Sequence, residues 1–119
     1  MSMKATIRQV DSVTVVDISG RITLGEGCTQ LRELVREQLR KGNKHVLLNL
    51  ADVTYIDSSG IGELVGAFTA VSNQGGQLKL LNLTKKVHDL LQITKLYTVF
   101  DVHDDETHAI TSFGEAAGA

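Results

Sequence analysis

A carboxylate followed by two hydroxyls and a glycine, Asp57-Ser58-Ser59-Gly60, is the group of residues in this chain best arranged for chemistry. It is followed by Ile61-Gly62 and stands between an apolar run and an amphipathic stretch, where a helix should begin. Asp57 or Ser58 can cap that helix by accepting from backbone N–H groups that have no partner in the first turn. Ser59 then falls within that turn, its hydroxyl near the positive end of the helix dipole. A phosphate there is favoured by roughly 0.3–1 kcal/mol at an exposed site. Gly60 and Gly62 keep the surface low enough for another protein's backbone to approach. Residue chemistry leaves two readings open, an ordinary helix cap and a phosphate acceptor, and capping is the commoner use of such a sequence.

Other chemistries find less support. Gly60, Gly62 and Gly66 fail the dinucleotide-binding spacing, which needs glycine where Val65 stands. There is no phosphate-loop lysine motif, and neither serine sits in a Gly-x-Ser-x-Gly elbow. No second catalytic group can be paired with either hydroxyl, so no catalytic residue is expected and the chain reads as a non-enzyme. His45, His88, His103 and His108 lack metal-ligand spacing, and Asp104-Asp105-Glu106 reads as an exposed acidic helix start. No metal and no cofactor are therefore expected. Cys28 reads as a small buried apolar residue.

Composition narrows the partners. The formal net charge is -2 and Lys and Arg are not clustered, so nucleic acid is not expected as a direct partner. Aromatic residues make up 4%, too few for a base-stacking platform. No apolar run approaches the ~18 residues of a membrane span, and the first residues lack a secretory signal's apolar core. One cysteine makes no internal disulfide. A soluble cytoplasmic domain is the expectation.

The elements that must position Asp57-Ser58-Ser59 follow from periodicity. Lys4–Val10 and Ser12–Ser19 predict two strands joined by a tight turn at Asp11-Ser12, the second strand rich in β-branched residues. Gly20 should end that strand, with a loop from Arg21 to Gly27. Leu31, Leu34, Val35 and Leu39 predict a helix over Cys28–Lys41, stopped by Gly42-Asn43. His45–Leu50 reads as a central strand buried on both faces, followed by a loop from Asp52 to Tyr55. Ile61, Leu64, Val65 and Phe68 mark the next helix, ending before Gly75-Gly76. A strand at Gln77–Leu81, a short helix at Lys85–Gln92, a strand at Val99–Val102 and a helix at Asp105–Phe113 complete the pattern. The fold class is α/β, a mixed sheet with an antiparallel opening hairpin, a parallel centre and about four helices. Residues 1–113 form one domain and 114–119 a flexible tail.

Asp57-Ser58-Ser59-Gly60-Ile61-Gly62, preceded by Val46-Leu47-Leu48-Asn49-Leu50 and Val53-Thr54-Tyr55-Ile56, resembles the signature of the STAS domain, especially that of bacterial anti-sigma-factor antagonists. Gly75-Gly76 before Leu78-Lys79-Leu80-Leu81, and Val87-His88-Asp89-Leu90-Leu91, extend the resemblance over nearly the whole chain. It implies phosphorylation at Ser59, the second serine of the pair, with Asp57, Ser58 and Gly60 shaping the acceptor turn. It also implies an anti-sigma factor that is itself a serine kinase, bound only by the unphosphorylated domain, and a serine phosphatase that resets the switch. A phosphoserine adds about -1.5 to -2 charges, costly to bury beside Asp57 in a partly apolar interface. Thr23, Ile61 and Gly62 are the expected partner contacts. Thr23 stands roughly where many members carry an acidic residue. Two alternatives stay open: a module binding a small anion or nucleotide at the same helix start, and regulation of a complex without a sigma factor.

Overall fold

The computed structural model describes residues 3–118, with side chains through Phe113. β1 (Met3–Val10) and β2 (Val13–Ile22) form the antiparallel hairpin. Its turn places Asp11 at φ 55°, a left-handed conformation that a short polar side chain tolerates. Then come α1 (Glu26–Arg40), β3 (His45–Ile56), α2 (Ser58–Asn73), β4 (Gln77–Leu81) and α3 (Lys85–Ile93). A short 3₁₀ turn (Tyr97–Val99), β5 (Val102–His103) and α4 (Glu106–Gly118) complete the described chain. The tail expected over 114–119 lies outside the residues whose side chains are described.

The strands form one sheet in the order β1-β2-β3-β4-β5, with β2, β3, β4 and β5 parallel to one another. This is the mixed sheet the sequence predicts. α1, α2 and α3 cover one face, sending Leu31, Val35, Ile61, Leu64, Val71, Val87 and Leu91 into a core with Val16, Ile18, Val46, Leu48 and Leu80. α4 covers the other, where Ala109 and Phe113 pack on Val13, Val15, Leu47 and Leu81. The two-sided burial of β3 explains its unbroken apolar run: Val46 and Leu48 face one layer, Leu47 the other.

The expected loop at Asp52–Tyr55 is strand, and the one at Arg21–Gly27 shrinks to 23–25. β2 continues past Gly20 to Ile22 and β3 past Leu50 to Ile56, pairing Gly20 with Val53 and Ile22 with Ile56. Gly20, at φ 92°, marks a register shift rather than an end, because a glycine takes up the bulge without breaking the ladder. Asp52–Tyr55 reads as loop because most of its residues are polar and solvent-exposed, yet Val53 and the following Ile56 still point into the core. The strand expected at Val99–Val102 is also displaced: Tyr97–Val99 is the 3₁₀ turn, and pairing begins only at Val102. The β2–β3 ribbon carries the chain to the edge of the domain and delivers Asp57 to the start of α2.

Candidate functional site

At the end of the ribbon, Asp57 is the N-cap of α2 with extended backbone angles. Its carboxylate joins two segments: one oxygen accepts from the Gly60 N–H at 2.8 Å, the other from the Leu24 N–H at 3.1 Å. Burial opposes its ionisation. The N–H donors of Gly60, Leu24 and Ser59 outweigh that and hold the carboxyl below the usual aspartate range. Asp57 therefore fixes the helix start and the β2–α1 loop relative to each other.

Gly60 makes that junction possible. A Cβ there would lie 2.2 Å from the Ile22 carbonyl oxygen and 2.6 Å from Ile56 Cγ1, so the first turn of α2 rests directly on the end of the ribbon. The expectation that Gly60 offers a low surface to a partner is corrected: it is buried and faces the protein's own backbone. Gly62 does face outward, where an added Cβ would meet nothing within 4 Å.

Ser58 is the first residue of α2 and exposed, and Ser59 follows it half-buried. Among the described residues neither hydroxyl has a hydrogen-bond partner, and no imidazole, amine or carboxylate contacts one as a base would. A phosphate on Ser59 would sit beside the ionised Asp57 in a turn whose donors that carboxylate already engages. Like-charge repulsion would then act on the cap and, through it, on the Leu24 loop.

The remaining expected residues separate. Ile61 is 1% exposed and belongs to the core, which corrects its assignment as a partner contact. Thr23 is half-buried, its carbonyl oxygen accepting from the Cys28 N–H at 3.1 Å. Cys28 is buried, and burial, with Glu63 and Asp57 nearby, pushes its thiol up.

Sequence reasoning missed Leu24. It is 78% exposed, next to Gly25 at φ 97°, and its backbone N–H is the one held by Asp57. The available signal was a large apolar residue inside a polar, glycine-rich loop, outside any periodic stripe. It also missed Tyr55, whose ring carries the Arg21 guanidinium at 5.1 Å and the Lys86 ammonium at 4.7 Å. The histidines are occupied locally: His45 packs on Phe113, His88 on Tyr97, His103 pairs with Asp101 and His108 with Asp105. Among the described residues no three His, Cys, Asp or Glu side chains are grouped to hold a metal ion. No described helix is long and apolar enough to cross a membrane.

Residues 4–109 match the family model of the STAS domain. The chain is 33% identical over 102 residues to the anti-sigma-B factor antagonist of Bacillus subtilis, covering 86% of this chain and 92% of that protein. It is 25% identical over 116 residues to the anti-sigma F factor antagonist of Paenibacillus polymyxa, covering 93% and 95%. A crystallised Thermotoga maritima protein matches its fold with a TM-score of 0.84 at 25% identity, over 92% of this chain and 93% of that one.

Proposed function

This chain belongs to the STAS domain family, and from that premise we propose that it is an anti-sigma-factor antagonist, a non-enzymatic protein whose binding is switched at Ser59. Unphosphorylated, it binds an anti-sigma factor that is also a serine kinase. Phosphorylated at Ser59, it is released, and a serine phosphatase restores binding. It works in the cytoplasm, without a cofactor. The antagonist role of the Bacillus subtilis relative supports the partner class.

The observation that carries the reading is the junction itself. Asp57 clamps the start of α2 to the Leu24 loop, and the Ser59 hydroxyl lies in the turn so clamped. A phosphate of about -1.5 to -2 charges added there repels Asp57, whose carboxylate holds the loop bearing the exposed Leu24, and so disrupts a partly apolar contact. The same engagement tells against a free anion or nucleotide at this helix start, because Asp57 already accepts from the Gly60 and Ser59 N–H groups.

The test is peptide mass spectrometry after incubation with ATP-supplemented lysate of the source cell, using wild type, Ser58→Ala and Ser59→Ala. One phosphate, lost only in Ser59→Ala, supports the switch. A chain that stays unmodified while still capturing partners would be a constitutive binding module, and the switch would be abandoned. A thermal shift on adding nucleotide that disappears in Ser59→Asp would favour the ligand-binding alternative. Capture of a kinase whose own client is not a sigma factor would redirect the output to another signalling complex.

A further inference from the structure

α1 and α2 lie side by side on the same face of the sheet, and the seam between them is open to solvent. Two contiguous depressions, of about 240 and 410 Å³, run along it and share Arg36 and Ala70. Their α2 side presents Gly62, Gly66 and Ala70, one small residue per turn. An added Cβ would meet nothing within 4 Å at Gly62 and only a Glu63 oxygen at 4.0 Å at Gly66. Their α1 side presents Arg32, Arg36 and Arg40, again one per turn. The groove begins at Gly62, one turn from Ser59, and continues to Gln74.

We propose that this groove docks an α-helix of the partner that carries carboxylates four residues apart on one face. Three features of the groove select that occupant. Small residues at four-residue intervals let a second helix axis come close. The arginines climb α1 by about 6 Å per step, the spacing of carboxylates at i, i+4 and i+8 on a facing helix. Twelve residues of α2 give a groove of about 18 Å, enough for roughly three turns.

Charge complementarity is local. Arg36 and Arg40 pair with Glu33 and Glu37 on their own helix, with Arg36 only at 4.0 Å, and neither acid lines the groove. Such exposed pairs are worth about 0–1 kcal/mol, so a partner carboxylate displaces them readily. Arg32 is held more firmly, at 2.7 Å from Glu63, which is largely covered. Glu63 in the groove and the net charge of -2 turn away a polyanion such as RNA while leaving room for single carboxylates. The proposal rests on the antagonist reading and adds where, beyond the serine turn, the partner is gripped and by what chemistry.

The test places a photoreactive p-benzoylphenylalanine at Gln74, an exposed position at the end of the groove, in the full chain in the source cell and sequences the cross-linked peptide. The expected peptide is a helical segment with Asp or Glu four residues apart. With that partner purified, the double variant Arg36→Glu/Arg40→Glu should weaken binding about tenfold, and Arg36→Lys/Arg40→Lys should restore most of it. Both side chains are about 60% exposed (60% and 62%), so the fold is kept. Cross-links to a second copy of this chain, to RNA or to a segment without acidic residues would overturn the proposal. So would no cross-link, or an unchanged affinity in the charge-reversed variant. Ser59→Asp separates the two claims. If it leaves the cross-link intact, the switch fails and the groove stands. If it abolishes capture while the charge reversal does nothing, the switch stands and the groove fails.

Discussion

Replacing Asp57 should reveal the mechanical link on which the site depends. In Asp57→Ala the Gly60 and Leu24 N–H groups lose their acceptors together. Loss of a side-chain cap costs about 0.5–2 kcal/mol and loss of a further hydrogen bond about 0.5–1.5. Part of each is recovered from water at this partly exposed turn, so a total of about 2 kcal/mol is expected, or about 8 °C in Tm for a chain of this size. Asp57→Asn keeps one oxygen and should lose about half as much. The folded carboxyl is held below its ordinary value, so its contribution is full above the unfolded value of about 3.9. That contribution is lost as pH falls from there through the folded value. In urea denaturation the gap between wild type and Asp57→Asn should therefore be constant from pH 7 to 5 and close below about pH 4. Hydrogen exchange at the Leu24 amide should quicken in both variants. An Asp57→Ala chain within 0.5 kcal/mol of wild type at pH 7, or a gap that widens on acidification, would refute the reasoning.

Three further outcomes follow from the same geometry. Gly60→Ala should lose about 2–3 kcal/mol in urea melts despite the better helix former, because its methyl meets the Ile22 carbonyl and Ile56; Gly62→Ala, with open space around it, should gain about 0.5–1 kcal/mol. Lys79 is 7% exposed, with its ammonium between Ser112 and Asp101, so Lys79→Ala should cost about 2–4 kcal/mol and Lys79→Met less than about 1 in the same assay. On the antagonist reading, Leu24→Ser should leave stability within about 0.5 kcal/mol yet weaken the unphosphorylated chain's binding to its anti-sigma factor about tenfold or more by titration calorimetry.

Much of the fold was legible because its strongest signals are local. The β-branched run of β2, the Leu31-Leu34-Val35-Leu39 stripe and the glycine pair before Gln77 each report an element without tertiary information. The misses lie where tertiary pairing overrides local character. Residues 52–55 look like loop because one side of the ribbon faces water, and only pairing with β2 shows them as strand. Gly20 has a breaker's identity and a bulge's position, which the partner strand alone decides. At the site, Asp57 could be read as a cap, but its second bond, to Leu24, joins residues 33 apart in sequence. No spacing rule reaches that far. Ile61 is different: the stripe that defined α2 already counted it as core, so naming it a partner contact asked one side chain to face two ways.

The order β1-β2-β3-β4-β5 has a consequence for how the chain assembles. Each strand lies beside the one that precedes it in sequence. During synthesis from the N-terminus, every new strand meets a sheet edge already in place, and the largest loop it must close is a single helix with its connections. The hairpin of β1 and β2 needs only Asp11 and Ser12 to close, and it can form first. The Asp57 junction closes one step later, when α2 settles on the ribbon, while β4, α3 and α4 are still to come. The Asp57 junction is therefore built from the earliest part of the sheet, and the elements made afterwards brace it.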